Sequence, residues 1–284
     1  MIRFNSEKQR FEGIINGKVV VRGRETYVKD VLTKRYNYVE NASVADTNVK
    51  KEYFSVDERF QFIEQFVGLV ARKVIPSFIV TGDGGLGKTH TVVNTLKKLG
   101  KKELTIGEWE GDFVVVKGYS TAKGLYRTLW ENNGKIIIFD DADSTFKDPI
   151  GANILKAALE SSDKRVISWN AEFSDREELP NRFEFTGRVI FISNLTLAKF
   201  PQALISRSMK VDLTLNMEEK IDRIAHVFNE IKEDSGLKAE VLAFIKKNAS
   251  QFTDLNVRSA LSVIKLAKSV GQNWERIALY SAVA

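Results

Sequence analysis

The sequence predicts an α/β fold: a five-stranded parallel sheet flanked by helices, followed by a small all-helical domain. Three observations carry this. Short, wholly apolar runs alternate with helical patterns between residues 77 and 215, as expected of strands buried on both faces. A glycine-rich turn stands between the first run and the next helix. Beyond residue 216 the apolar spacing is helical and no strand pattern remains. With 284 residues, the chain can bury a substantial core without disulfides or metals.

In chain order, residues 1–54 read as short strands and turns. Gly13, Gly17 and Gly23 punctuate Ile14-Ile15 and Val19-Val20-Val21, the pattern of a small hairpin. Ser55 and Glu58 have capping-box spacing. Phe60, Ile63, Phe66, Val67 and Val70 then recur at helical spacing, so a helix is expected to about Arg72, with Pro76 as its stop. Residues 77–80, 113–116, 136–139, 189–192 and 211–215 are the expected core strands. Helices are expected at 88–99, ended by Gly100, and at 121–132, ended near Gly134. A third opens at Asp148-Pro149, with Asp as cap and Pro in the first position, and runs to about Glu160. Residues 166–169 and 182–185 can pair as a hairpin. Four further helices are expected at 217–232, 237–246, 256–268 and 273–284. The expected organisation is therefore an extension at 1–54, an α/β core at 55–216 and a helical domain at 217–284.

Composition excludes several chemistries. Cysteine is absent, so there is no disulfide framework, thiolate metal site or Cys nucleophile. His90 and His226 are the only histidines, which excludes a His-rich metal site and leaves few candidates for a Ser-His-Asp triad. No run of about 18 apolar residues exists to span a membrane. Residues 1–10 are polar and lack the apolar region of a secretory signal. These features lead us to expect a soluble protein of a reducing compartment with no membrane partner. The net charge is +6, and residues 1–75 hold most of the excess, with 14 basic against 10 acidic side chains. That bias is weak for a dedicated nucleic-acid arm and fits ordinary solvated surface.

Gly82-Asp83-Gly84-Gly85-Leu86-Gly87-Lys88-Thr89 fits G-x-x-x-x-G-K-[ST], between an expected strand and an expected helix. Glycines there let backbone N–H groups turn toward phosphate, and the helix N-terminus adds a favourable field. Lys88 is expected to reach the β- and γ-phosphates of ATP, and Thr89 to ligate Mg²⁺. His90 extends the set by one residue. Ile136-Ile137-Ile138-Phe139-Asp140-Asp141 is a Walker B pattern: a buried strand with carboxylates at its C-terminal end. Asp140 would hold Mg²⁺ through water, and Asp141 would act as general base on the attacking water. Most proteins of this type carry Glu at the second position. Asp is one methylene shorter, so either hydrolysis is slow or Asp143 contributes.

With these motifs the chain resembles the AAA+ ATPases from Phe54 to the C-terminus, and is most similar to small phage-encoded members. The resemblance implies a P-loop core with a helical lid, and the cytoplasm (the host's, for a phage protein) as location. It places Asn194, after Val189-Ile190-Phe191-Ile192-Ser193, at sensor 1, which orients the attacking water. Ala203-Leu204-Ile205-Ser206-Arg207 resembles the arginine-finger segment, whose Arg acts on a neighbouring subunit's nucleotide. Arg165, Arg182 and Arg188 compete for that role. Asp254-Leu255-Asn256-Val257-Arg258-Ser259 resembles sensor 2, with Arg258 contacting the γ-phosphate in cis. A finger acting in trans implies a ring or spiral, hexamers being usual in the family.

In the family, the loop after the second core strand lines the pore. Here it is Val116-Lys117-Gly118-Tyr119-Ser120. Tyr119 either grips a base or polypeptide or packs in the core, and Lys117 or Lys123 could meet phosphate. The hairpin at 166–185 resembles the pre-sensor 1 hairpin of the branch containing superfamily 3 viral helicases. Its tip holds Glu172, Asp175, Glu177 and Glu178 against Arg176, a charge that repels a phosphate backbone, so it binds protein or leaves contact to Lys164 and Arg165. Three readings follow: a motor or loader on DNA or RNA in replication, recombination or packaging; a protein-remodelling ATPase; and a nucleotide-controlled scaffold with slow hydrolysis. Residues 1–54 would serve as an adaptor for a partner protein or as a collar.

Overall fold

A computed structural model describes residues 2–5, 10–15, 18–24, 27–28, 31, 54–170 and 179–283. The chain divides into two compact units, Met1–Phe54 and Ser55–Ala284. In the first, β1 (Ile2–Asn5), β2 (Arg10–Ile15) and β3 (Lys18–Gly23) form an antiparallel sheet in that order. The expected hairpin is present: Ile15 opposes Lys18, and the register shifts at Gly13/Ile14. Glu12 is buried and accepts a hydrogen bond from Arg22 Nε at 2.9 Å.

The second unit opens with α1 (Val56–Ala71). Its capping box is formed: Glu58 N–H donates to Ser55 Oγ, and Ser55 N–H donates to Glu58 Oε2 at 2.7 Å. The helix does not need Pro76 to stop it. Lys73 turns into the left-handed region at φ 62°, and the Val74 N–H returns to the Leu69 carbonyl at 2.9 Å. Five parallel strands follow: β4 (Ser77–Gly82), β5 (Phe113–Lys117), β6 (Ile136–Asp140), β9 (Arg188–Ser193) and β10 (Met209–Leu213). They lie in the order β10-β4-β9-β6-β5.

The apolar runs are continuous because both faces of the sheet are covered. Ile79, Ile137, Phe139, Val189 and Phe191 point to one side, where they meet Leu125 and Leu129 of α3 (Ala122–Glu131) and Leu155 of α5 (Pro149–Ala158). Phe78, Val80, Ile136, Ile138, Ile190 and Ile192 point to the other, against α1 and α2 (Lys88–Lys98). Burying each such side chain contributes about 1.5–3 kcal/mol before ordering entropy is subtracted. Asp148 caps α5 by accepting from the Gly151 N–H at 3.0 Å, as the Asp-Pro pair predicts. A single turn, α4 (Ser144–Lys147), precedes it and has no apolar period long enough to read from sequence.

The hairpin of β7 (Val166–Ser168) and β8 (Arg182–Glu184) forms, with Ile167 opposite Phe183. It is pinned to the core by aromatic packing: the Tyr126 ring lies 5.2 Å from Phe183 and 5.7 Å from Trp169. The acidic tip residues, Glu172, Asp175, Glu177 and Glu178, with Arg176, lie outside the described residues. After β9 come α6 (Gln202–Ile205), β10, and four helices: α7 (Met217–Glu230), α8 (Ser235–Asn248), α9 (Val257–Val270) and α10 (Trp274–Val283). These four enclose their own core, with Ile224, Phe228, Val241, Phe244, Ile245, Ile264 and Trp274 buried together. Among the described residues, no helix is long and apolar enough to cross a membrane.

Candidate functional site

The C-terminal ends of parallel strands leave their loops on one edge of the sheet, where α/β proteins place ligands. β4 ends there at Gly82, whose φ is 133°. A Cβ at this position would meet the Leu213 backbone of β10 at 2.5 Å, so only glycine lets the chain turn so close to its neighbour. The chain then passes Gly85 (φ 72°) and reaches Gly87 (φ 95°), which caps α2 without a side chain. The N–H groups of the first helical turn therefore receive no side-chain cap, the condition for receiving an anion.

Lys88, the first residue of α2, is buried with 5% exposure. Its ammonium donates to the carbonyls of Gly82 and Asp83, both at 2.7 Å, and to Asn194 Oδ1 at 2.9 Å. Burial lowers its pKa from the usual lysine range, against the opposing pull of Asp141, Asp83 and Asp140. Asn194, just past β9, also donates from Nδ2 to Asp141 Oδ1 at 3.0 Å. The sheet order explains this relay: β9 lies between β4 and β6, so its end residue bridges the two motifs. Thr89 Oγ1 donates to Asp140 Oδ1 at 2.8 Å.

Asp141 takes the left-handed backbone at φ 53°, and its N–H is held by the Ile192 carbonyl at 2.9 Å. Burial raises its carboxyl pKa above the ordinary value, and Asp140 and Asp143 push the same way against Lys88 and the Asn194 hydrogen bond. Asp143 itself turns away, accepting from Ser193 Oγ at 2.7 Å.

These groups line one side of a cleft of about 670 Å³. The other side is built by α7 and α9, with Val227, Ile231 and Leu261 as an apolar wall and Arg258 and Arg223 as cations. The start of α9 sits directly on the loop, with the Arg258 N–H 3.3 Å from the Gly85 carbonyl. A Cβ at Gly85 would meet Asn256 Oδ1 at 2.5 Å. His90 lines the cleft with an exposed ring hydrogen-bonded to Asn94. Leu86 is buried among the core residues beneath the loop. Gly82 and Asp83 stand back from the cleft. Their carbonyls hold Lys88, while the Asp83 carboxylate pairs with Lys220 of α7 at 2.9 Å.

Arg207 does not face this cleft. It pairs with Glu160 at 3.0 Å and donates to the Ala203 carbonyl at 3.1 Å. Two of its competitors are committed to the fold. Arg165 is buried, donates to the carbonyls of Ala158 and Gly187, and has its pKa lowered to about 10 by desolvation and by Arg188. Arg188 holds the carbonyls of Thr186, Gly187 and Lys73. Arg182 is exposed on β8. Tyr119 is 83% exposed, so it does not pack in the core. Lys117 lies opposite Asp140 in the sheet and its ammonium pairs with it at 3.3 Å, while the side chain stays 68% exposed.

Sequence reasoning missed Arg223 and Lys220. The available signal was slight: Arg223, Val227 and Ile231 share one face of a helix at fourfold spacing, with a cation on an otherwise apolar stripe.

Fold and cleft together define an α/β protein with a five-stranded parallel sheet flanked by helices and four helices at its C-terminal end. No protein-family model matches the chain. It is similar to an uncharacterized 36.7 kDa protein in the nrdC-mobD intergenic region of enterobacteria phage T4. The two are 29% identical over 244 residues, covering 78% of this chain and 73% of the phage protein.

Proposed function

We propose that the protein is an AAA+-type P-loop ATPase. It binds and hydrolyses Mg·ATP in this cleft as an oligomer, and acts on nucleic acid in phage DNA replication, recombination or packaging in the host cytoplasm. The observation that carries the reading is the hydrogen-bonded relay Lys88–Asn194–Asp141 at the ends of three strands, beside the Thr89–Asp140 pair.

Each residue then has a task. Lys88 exchanges acceptors it now holds within the protein for phosphate oxygens. Asn194 positions a water, and Asp141 takes its proton as the oxygen attacks the γ-phosphorus. The bond from that phosphorus to the β–γ bridging oxygen breaks, leaving ADP and phosphate. Arg258 meets the γ-phosphate from α9. The donor set suits Mg²⁺: one hydroxyl and one carboxylate, with phosphates and water completing the shell. When bound, Mg²⁺ supplies positive charge to the phosphate oxygens. Among the described residues, no group of three or more His, Asp or Glu is arranged to hold a metal unaided.

ATP turnover measured alone, with single-stranded DNA and with double-stranded DNA, at two salt concentrations, tests the reading. Stimulation by DNA that fades steeply with salt is expected. No turnover under any condition overturns the ATPase reading. A protein-remodelling reading is favoured by the exposed Tyr119, whose ring can grip a polypeptide as readily as stack on a base. Stimulation by a partner protein and not by DNA would select it. Hydrolysis that stays slow while nucleotide drives assembly would select a scaffold.

Arg207 is assigned as the finger acting on a neighbouring subunit, released there from Glu160. Arg207→Ala is expected to hydrolyse poorly yet regain turnover when mixed with Asp141→Asn subunits, because each mutant then supplies what the other lacks. Absence of rescue at matched assembly would transfer the role to Arg182.

A further inference from the structure

Among the described residues, Arg223 is the buried cation of this site with no hydrogen-bond or ion-pair partner. The side chain is 7% exposed, and its Nε is shielded from solvent with no hydrogen-bond acceptor. Among the described residues no carboxylate lies within ion-pair distance of it. Glu230, Asp57 and Glu64 act only at longer range and do not outweigh desolvation, which lowers its pKa below the usual arginine value. Arg59, Arg188 and Arg207 share the unbonded Nε, but each of the other enclosed arginines is held through its Nη atoms. Arg59 bonds Glu219, Arg165 and Arg188 bond backbone carbonyls, and Arg207 bonds Glu160.

The Arg223 guanidinium lies over the Phe60 ring, with Cζ 3.6 Å from the centroid, so the ring covers one side of it. Its Nη2 lies 3.7 Å from where a Cβ of Gly87 would stand, beside the N-terminus of α2, and the residue lines the cleft. One turn earlier on α7, Lys220 already grips the loop through Asp83. Leaving a guanidinium buried and unpaired is costly, and an anion in the cleft removes that cost. A planar fork held by a ring is also suited to phosphate oxygens.

We propose that Arg223 is a second arginine ligand of the nucleotide's phosphate chain, contributed by α7 alongside Arg258 of α9. Both helices that roof the cleft then bond the same phosphates, so nucleotide binding ties α7 as well as α9 to the loop. The inference rests on the ATP-site reading above and deepens it.

The test is calorimetric titration of the full chain with ATP, ADP and inorganic tripolyphosphate, using wild type, Arg223→Met and Arg223→Lys. Met keeps packing volume on Phe60 and removes the charge; Lys keeps the charge and loses the fork. Arg223→Met is expected to bind ATP and tripolyphosphate about 10- to 100-fold more weakly, with Arg223→Lys between. The ATP-induced rise in melting temperature should shrink in the same order. Wild-type affinity for both ligands in Arg223→Met overturns the proposal. So does weakened ATP binding with unchanged tripolyphosphate binding, which would assign the arginine to the base or ribose. If Arg223→Met does not fold, Arg223→Lys decides: wild-type affinity there for both ligands overturns the proposal. Wild-type protein that binds neither ligand would instead remove the ATP-site reading itself.

Discussion

Lys88→Ala is expected to abolish ATP binding and to lower hydrolysis by at least about 10²-fold, the scale seen when one preorganised charge partner of a transition state is removed. Its ammonium joins the Gly82 and Asp83 carbonyls to Asn194 in a site that Asp140 and Asp141 also face. Removing it has two consequences. Asn194 loses the donor that orients its amide, and with it the geometry of its bond to Asp141. The paired carboxylates also lose a compensating cation and present bare negative charge to an incoming triphosphate. Titration calorimetry with ATP and a phosphate-release assay measure both effects, with circular dichroism as the check on folding. Undiminished turnover would refute the role of the loop.

Asp141→Asn is expected to separate binding from chemistry. Asn makes no useful general base, so hydrolysis should fall by about 10²- to 10⁴-fold while ATP binds and accumulates on the protein. Asn is chosen over Ala because position 141 lies at φ 53°, a conformation that Asp and Asn tolerate better than other side chains. Stability should move the opposite way. Asp141 has its folded pKa raised, so its favourable contribution belongs to the protonated form. That contribution is complete below the unfolded pKa and is lost as pH rises through the folded value. At neutral pH the uncharged Asn escapes this loss, and the variant should melt at or slightly above the wild-type temperature. The same raised pKa shapes the wild-type rate profile. Turnover should decline on acidification at a higher pH than an ordinary aspartate dictates, and the residual rate of Asp141→Asn should lack that limb. Loss of ATP binding in Asp141→Asn would show the base assignment to be wrong.

Local features of the chain were the legible ones. The five strands, the hairpin and the four terminal helices are present because apolar period, capping residues and glycine positions act over a few residues. The exceptions have physical causes. The single turn α4 is shorter than any period, and α1 ends through the left-handed Lys73 rather than at Pro76. Within the candidate site, Lys88, Thr89, Asp140 and Asp141 were legible as motifs and Asn194 through the family resemblance, and the structure joins Lys88 to Asn194 to Asp141 and Thr89 to Asp140 by hydrogen bonds. Arg223 escaped notice because nothing within its own helix marks it as unpaired.

What the sequence alone determined, then, is the set of elements and the chemistry each strand end carries. Tertiary structure decided which charges remain available for function. Arg165 and Arg188 are held by backbone carbonyls, whereas Arg223 has no acceptor among the described residues. The reason is that desolvation and ion pairing depend on distance through space, and the partners come from distant parts of the chain. Asn194 meets Lys88 across a sequence separation of 106 because β9 is inserted between β4 and β6.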